Sequence, residues 1–293
     1  MKKLLIFIMA FIIISCNADT KTVANIVVTE SLDTISDEGL SDWELFIKHF
    51  PRKKSTVVRD YAGNVIKEQS LGVLNTKVTS VQQCADAAIR LRAEFFYYRK
   101  EYDKIKFKLT CGLEVPFSKW ALGYRVKING NKAILVKTQS TNDYSRSNFE
   151  EYLKVIMTYA GSASLSRDLP HSNYPKIGDL LVLGGYPGHV VIIIDKKTKN
   201  GVDYYLFANS WIPAQDIEIV TGTSTGGETV DNYIPIIGIT IIQINGYKNM
   251  AKPKLIKRGN TWYRNGKAVK PGFKNGNQVS YSTNYNFAGF DGK

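Results

Sequence analysis

The sequence has little of the chemistry that metal and phosphate sites require. Its 293 residues include only three cysteines and three histidines. They contain no Cys-x-x-Cys pair, no HExxH motif, no clustered carboxylates and no phosphate-binding loop of the Gly-Lys type. Zinc and nucleotide sites depend on such spacings. The sequence therefore predicts no metal site and no cofactor, and any catalysis would rest on the chain's own side chains.

Acidic residues are also scarce, and the excess of positive charge is concentrated near one end. The chain has 39 Lys and Arg against 26 Asp and Glu, a net charge of +13. Residues 251–293 hold nine of the basic residues against one acid, Asp291. Such an extension favours contact with an anionic envelope polymer or with lipid headgroups. The alternative is a solvated extension that only keeps the protein soluble.

The N-terminal segment predicts export. Lys2 and Lys3 precede an apolar run over residues 4–14, which is typical of a signal peptide and too short to span a bilayer comfortably. The run ends in Ile-Ile-Ser-Cys, which resembles a bacterial lipobox, and this resemblance implies that Cys16 is acylated. An ordinary signal peptide cleaved near Ala18, or a short membrane anchor, is the alternative. A lipid-anchored envelope protein, at the outer membrane or the periplasmic face, is not expected to bind nucleic acid.

Four segments are predicted along the chain. They are a signal peptide over residues 1–15, a tether over 16–38, a domain over 39–250 and the basic extension over 251–293. The tether is polar with few aromatic residues, as a flexible linker would be. About 210 residues in the third segment are enough for one hydrophobic core.

Periodicity predicts helices first and an antiparallel sheet after them, an α+β arrangement. The predicted helices cover residues 40–50, 82–100 and 147–160. Predicted strands include residues 104–110, two runs within 124–136, and residues 179–183, 189–194 and 204–208. Asn-Gly turns separate several of these runs, and one of them predicts a hairpin at residues 262–269 in the basic extension.

The helix over residues 82–100 carries the clearest apolar stripe. Its members, spaced three and four apart, are Cys84, Ala88, Leu91, Phe95 and Tyr98. Charged residues alternate along the same helix and predict a solvated or salt-bridged edge, formed by Arg90, Arg92 and Glu94. Cys84 therefore stands at the start of a helix that packs on the rest of the domain.

Three residues in a fixed order carry groups suited to acyl transfer. A thiol at Cys84, in the first turn of a helix, would face unpaired backbone N–H groups, and the helix dipole is expected to lower its pKa. His189 follows a Gly-rich turn and opens an apolar strand, which would hold an imidazole rigidly. Asn209 ends the next strand, and its amide oxygen could accept the second ring N–H and fix the tautomer.

Each of these residues also has a plainer interpretation. Once Cys16 is assigned to lipid, two cysteines are left, and in an oxidising envelope they predict a disulfide between Cys84 and Cys111. Cys84 could instead be a buried thiol that packs as a small hydrophobe. His189 could close a turn, and Asn209 could serve only as a turn residue.

Two motifs resemble those of known cysteine hydrolases. Asn209-Ser210-Trp211 resembles the Asn-Ser-Trp of papain-like peptidases, in which the Asn orients the catalytic His and the Trp shields their hydrogen bond. The Gly-Asp-Leu-Leu-Val of residues 178–182, followed by Gly-His-Val at 188–190, is similar to the pattern of NlpC-type and CHAP-type cell-wall hydrolases.

A second resemblance covers a longer part of the chain. Residues 82–94 (QQCADAAIRLRAE), Tyr-Ala-Gly at 159–161 and Pro-Ala-Gln at 213–215 look like an uncharacterised family of bacterial secreted proteins, domain of unknown function 4846. That family name carries no activity. An enzymatic hypothesis therefore depends on the papain-like motifs.

The papain-like resemblance implies a fold and a reaction. A helix carrying Cys84 would pack on an antiparallel sheet carrying His189 and Asn209, and the protein would be a cysteine peptidase or amidase that acts on cell-wall stem peptides or on proteins. Gln82 or Gln83 would donate to the oxyanion and Trp211 would support the site. The nucleophile motif departs from the Gly-Ser-Cys-Trp of papain.

Two other classes of protein fit the same sequence. In one, a noncatalytic module uses the papain-like cleft and the basic extension to bind an anionic envelope polymer or a partner. In the other, a structural lipoprotein contains the disulfide between Cys84 and Cys111.

Overall fold

The computed structural model describes residues 33–172, 175–185, 188–220, 222–223, 231–235, 243–244, 255–258, 261–264, 267–269 and 286–288. The predictions for residues 1–32, including acylation of Cys16, lie outside these residues. Within the described part of the chain, no helix is long and apolar enough to cross a membrane.

Within the described residues, five α-helices precede most of the strands. They are α1 (Asp42–Lys48), α2 (Cys84–Tyr98), α3 (Phe117–Ala121), α4 (Arg146–Tyr159) and α5 (Ser162–Asp168), with a 3₁₀ turn at Tyr102–Lys104. The start of α1 follows from its sequence, because the Ser41 hydroxyl accepts from the Glu44 N–H at 3.3 Å and the Glu44 carboxylate accepts from the Ser41 N–H at 3.0 Å. The predicted helices 40–50 and 82–100 are confirmed.

Helix α4 begins earlier than its sequence suggests. The predicted start was at residue 147, but the hydroxyl of Ser145 caps the helix by accepting from the Asn148 N–H at 3.4 Å. The helix therefore runs from Arg146. A further short helix, α5, begins directly after Gly161, where the sequence predicted only the end of α4.

Short strands and hairpins fill the first part of the chain. They are β1 (Asp33–Thr34), β2 (Val58–Arg59), β3 (Val65–Lys67), β4 (Lys106–Lys108), β5 (Glu114–Pro116), β6 (Tyr124–Asn129) and β7 (Lys132–Lys137). Three antiparallel two-stranded sheets form from β2 and β3, β4 and β5, and β6 and β7. The hairpin predicted within residues 124–136 is confirmed.

The later strands build the main sheet and two small ones. They are β8 (His171–Ser172), β9 (Leu180–Leu183), β10 (His189–Lys199), β11 (Val202–Asn209), β12 (Glu218–Val220), β13 (Gly222–Thr223), β14 (Ile234–Pro235), β15 (Gln243–Ile244), β16 (Leu255–Arg258), β17 (Thr261–Arg264), β18 (Lys267–Val269) and β19 (Asn286–Ala288). The main sheet has the order β12-β11-β10-β9-β19-β8, with β1 on β10 and β14 on β11.

Every pair in the main sheet is antiparallel, so the fold is α+β as predicted. The hairpin predicted in the basic extension is present as β17 and β18. Strand β19 also comes from that extension, and it lies between β9 and β8 in the main sheet. The sequence did not predict this long-range pairing.

Helix α2 packs on the main sheet through a buried face. Ala88, Ile89 and Leu91 are at most 1% exposed, and the neighbouring strand β10 is buried from His189 to Ile194. The predicted stripe is correct except at its last member. Tyr98 is 69% exposed, because the helix ends there and its final turn extends beyond the core.

The pairing of β10 with β9 and β11 brings His189, at the start of β10, close to the Asn209-Ser210-Trp211 motif at the end of β11. His189 lies opposite Leu183 on β9, and β11 returns beside β10 with Ala208 opposite Ile192. The turn between β10 and β11 is made by Asn200 and Gly201, both with positive φ, as in the hairpin turns that Asn-Gly favours. Asn209 is the last residue of β11 and pairs with Glu218 on β12.

Candidate active site

Cys84 occupies the first position of α2 and contacts the start of β10. Its side chain is partly buried, and the backbone N–H of Val190 lies close enough to the sulfur to lower the pKa of the thiol. Val190 follows His189 directly in the sequence. The packing of α2 on β10 therefore brings the predicted nucleophile to the strand residue that follows the predicted base.

The environment of Cys84 changes its pKa in the direction opposite to the expectation from helix position. Burial raises the pKa of the thiol, and the nearby Asp86 carboxylate raises it further, while the backbone N–H groups of Val190 and Ala85 lower it. Desolvation is the largest of these effects. The resting site therefore favours a neutral thiol.

His189 is held on two sides by the motif at the end of β11. Its Nε2 lies 3.2 Å from Nδ2 of Asn209, and its ring stacks on Trp211 with centroids 4.7 Å apart and planes 24° apart. His189 is 4% exposed and Asn209 is fully buried. Burial lowers the pKa of the imidazole to about 4. The base is therefore neutral near pH 7.

The contact between Asn209 and His189 assigns the two ring nitrogens. Nε2 faces the amide, so in the predicted triad Nδ1 would be the ring atom that exchanges a proton with sulfur. Amide oxygen and nitrogen are assigned from hydrogen bonds, and in the present orientation Oδ1 of Asn209 has no hydrogen-bond partner among the described residues. With the amide rotated, Oδ1 accepts from Nε2–H, and Nδ1 is then unprotonated and ready to act as a base.

Gln82 links the start of α2 to the segment that follows Asn209. The side chain is fully buried, its Oε1 accepts from Nε of Arg90 at 2.7 Å, and its Nε2 donates to the backbone oxygen of Gln215 at 3.3 Å. The Ser210 hydroxyl donates to that same oxygen at 2.8 Å. Gln82 therefore ties together the two segments that carry Cys84 and Asn209.

Gln83 has a different environment. Its side chain is exposed, and its backbone N–H donates to Oδ2 of Asp86 at 2.9 Å. Donation to an oxyanion from either glutamine stays a prediction.

Arg90 is a positioning residue that sequence reasoning described as part of an exposed or salt-bridged edge. Its guanidinium is fully buried and donates to both carboxylate oxygens of Glu150, at 3.2 and 3.1 Å, as well as to Gln82 and Glu94. Arg146 donates to both acids from the exposed side. Arg90 and Glu94 are therefore salt-bridged and buried, and they anchor α2 to α4, whereas Arg92 is partly buried and lies over aromatic rings.

Asp86 lies beside Cys84 and opposes a thiolate there, as its position two residues after the cysteine at a helix start indicates. It is 4% exposed, one oxygen accepts from the Gln83 N–H, and Oδ1 has no hydrogen-bond partner within the described residues. Burial raises its pKa to about 7, against lowering contributions from Gln83 and Arg90. A buried carboxyl of this kind beside a thiol is a common signature of functional sites, and its position two residues after a cysteine was the only sequence signal.

The alternative of a disulfide between Cys84 and Cys111 is not seen in the structure. Cys84 and Cys111 are both free, and Cys111 is exposed. The structural lipoprotein with a bridged Cys84 is therefore not supported. Among the residues that the structure describes, no group of three or more His, Cys, Asp and Glu side chains could hold a metal ion.

The comparisons with known proteins identify a family but no activity. The family model described as Domain of unknown function (4846) matches residues 36–235, a segment that contains Cys84, His189 and Asn209. No curated protein and no solved structure gives a significant match. Because the family model covers more than half of the chain, the protein belongs to the family of domain of unknown function 4846.

Proposed function

We propose that the domain is a papain-like cysteine amide hydrolase. The observation that carries the proposal is the convergence of three segments: the thiol of Cys84 lies beside the backbone N–H of Val190, and His189, the residue before Val190, contacts Asn209 and stacks on Trp211. A thiol, an imidazole and an orienting amide in this order are the parts of a thiol acyl-transfer site.

The pKa directions favour general-base catalysis over a preformed ion pair. Burial keeps the thiol protonated and the imidazole neutral at rest. The sulfur of Cys84 attacks the amide carbonyl carbon while its proton passes to Nδ1 of His189. That proton then goes to the leaving amine, which departs as the C–N bond breaks and a thioester remains on sulfur.

Hydrolysis of the thioester completes the cycle with all atoms accounted for. Water attacks the acyl carbon and gives a proton to His189, the C–S bond breaks, and the sulfur regains the proton from the imidazole. The products are a carboxylic acid and an amine. Asn209 keeps Nε2 protonated and directed away from sulfur in each step.

The substrate class follows from the predicted location and the resemblance. We propose a peptide amide, either in cell-wall stem peptides or in protein, and a lipid anchor at Cys16 that holds the enzyme in the envelope. Incorporation of labelled fatty acid into the wild-type chain but not into Cys16→Ala tests the anchor. Equal labelling of both chains argues against it.

Peptide-resolved alkylation of the native protein by iodoacetamide tests the catalytic pair. The exposed Cys111 serves as an internal control in the same sample. If His189 acts as a base for sulfur, His189→Ala slows alkylation of Cys84 at pH 7 by more than about tenfold, within the range of general-base contributions, and leaves Cys111 unchanged.

A Cys84 rate that does not depend on His189 argues against the hydrolase. Asn209→Ala is the companion variant, because it removes the orienting amide and keeps the imidazole. It should lower the Cys84 rate less than His189→Ala does.

The neutral resting pair also favours a second candidate function. A buried neutral thiol and a buried neutral imidazole are compatible with a noncatalytic module that uses the papain-like cleft to bind an envelope polymer or a partner. In that case Cys84 alkylation depends on exposure alone. The same His189→Ala measurement distinguishes the two functions.

A further inference from the structure

The β6–β7 hairpin is a strongly basic element that the candidate active site does not use. Residues 117–142 contain five Lys and Arg and no Asp or Glu. The two strands form their own sheet, separate from the main one. The hairpin itself, residues 124–137, carries four of them, and a local charge of +4 on a two-stranded hairpin gives a concentrated positive potential.

Alternation along the strands gives the hairpin an inner and an outer face. Val126, Ala133 and Leu135 pack against the hydrophobic core. The residues between them point the other way. On that outer face Ile134 lies directly opposite Lys127 in the register, and it is 57% exposed.

The lysines of the outer face are available to a partner. Lys127 and Lys132 are exposed, and neither forms an ion pair with an acid among the described residues. Two further exposed lysines, Lys119 and Lys137, lie 5.3 and 5.9 Å from the centre of the Tyr124 ring. Ile128, at the end of β6, is 40% exposed.

Exposed isoleucine between unpaired lysines fits one kind of surface. A bilayer with anionic headgroups offers phosphate to the ammonium groups and an acyl boundary to the apolar side chain. An anionic polysaccharide offers only the charge and leaves the isoleucine in water. The isoleucine therefore favours lipid over a soluble polymer.

We propose that the β6–β7 hairpin binds the surface of an anionic lipid bilayer, with Lys127 and Lys132 at headgroup phosphates and Ile134 at the acyl boundary. This contact does not depend on the proposed hydrolase.

Sedimentation with lipid vesicles tests the proposal on the full chain carrying Cys16→Ser, so that no acyl group contributes. The probe is a vesicle of phosphatidylglycerol and phosphatidylethanolamine, and vesicles of phosphatidylcholine give the neutral baseline. The double variant Lys127→Glu/Lys132→Glu is expected to weaken binding to the anionic vesicles by at least about 25-fold, because each lysine contributes roughly fivefold.

Two further variants separate the contributions. Ile134→Ser should weaken binding about tenfold, because the side chain loses its apolar contact. The control Lys54→Glu/Lys77→Glu has the same change of net charge at exposed positions outside the hairpin, and it should weaken binding less than about threefold, because charges beyond a Debye length are screened. All variants change exposed side chains, and their melting temperatures should match that of the parent chain.

Three results would overturn the proposal. The first is absence of binding to anionic vesicles above the neutral baseline. The second is an equal loss in the hairpin variant and the control, which would mean that net charge alone drives binding. The third is unchanged binding of Ile134→Ser, which would mean a purely ionic surface and would favour an anionic polymer.

Discussion

Acid should destabilise the domain through His189. Burial lowers the pKa of this imidazole from 6.5 to about 4 in the folded protein. As the pH falls, the unfolded chain therefore binds the proton first. The stability that depends on a neutral His189 is present in full above pH 6.5 and is lost as the pH falls toward 4.

The size of the effect follows from the two pKa values. One pKa unit corresponds to about 1.4 kcal/mol, so the difference between 6.5 and about 4 corresponds to about 3.4 kcal/mol in total. About 2 kcal/mol of this is lost by pH 5, where the unfolded imidazole is almost fully charged and the folded one is still mostly neutral. The imidazole is 4% exposed, so solvent screening reduces the figure little.

Urea unfolding of the wild type and of His189→Gln between pH 7.5 and pH 5 measures this contribution. Glutamine does not titrate, so the difference between the two free energies of unfolding isolates the histidine from other groups such as Asp86. This difference should decrease by about 2 kcal/mol as the pH falls to 5.

Two results would refute the reasoning. A difference that stays constant within about 0.5 kcal/mol would mean that the pKa of the folded imidazole is close to its ordinary value. A difference that grows on acidification would mean that the folded site stabilises the imidazolium, as a thiolate at Cys84 would do.

Three further variants test the packing around the site. Arg90→Met should lower the free energy of unfolding by about 3 to 5 kcal/mol, measured by urea unfolding, because it removes a fully buried cation from two buried acids. Asp86→Asn should speed alkylation of Cys84 several-fold at pH 8, because it removes the carboxylate charge that raises the pKa of the thiol. At pH 6 the gain should be smaller, because Asp86, with its pKa of about 7, is then mostly protonated in the wild type. Gly178→Ala should lower the melting temperature, because the glycine has a φ of +88° and an added Cβ would clash with a tryptophan indole of α1. The free energy of unfolding should fall by about 3 kcal/mol.

Each of these variants has a matched control or a contrary result. Arg99→Met removes an exposed ion-paired arginine and should lower the free energy of unfolding by no more than about 1 kcal/mol. If Arg90→Met lowered it by no more than Arg99→Met does, the result would contradict the stabilising role of the buried ion pairs. Gly201→Ala changes a glycine with φ of +75° and open space around it, so only the backbone cost of about 1 kcal/mol is expected. Faster alkylation of Asp86→Asn at pH 6 than at pH 8, relative to the wild type, would contradict the charge effect.

Local signals in the sequence were sufficient for the elements that carry the site. The capping residue Ser41, the spacing of apolar residues in α2 and the Asn200-Gly201 turn each act within a few residues of the chain, so they need no distant contact to form. The start of β10 at His189 and the end of β11 at Asn209 were predicted for the same reason. Family membership also followed from short motifs.

Groups that depend on distant neighbours were predicted less well. The alternation of charges on α2 did not reveal that Arg90 is fully buried, because its partner Glu150 lies on α4. Tyr98 fitted the apolar stripe but stands at the helix end, where no neighbour covers it. Strand β19 joins the main sheet through pairing with β9, at a separation of about a hundred residues that no local pattern encodes.

The sequence by itself determined the order of the chemistry: a thiol at a helix start, an imidazole at a strand start and an amide at the end of the next strand. Only the tertiary structure decided that Cys84 meets the strand of His189 and does not bridge to Cys111. It also decided that Cys84 and His189 are both neutral at rest. A helix N-terminus lowers a thiol pKa through nearby dipoles, but burial between α2 and β10 removes water from both groups, and desolvation outweighs the dipole.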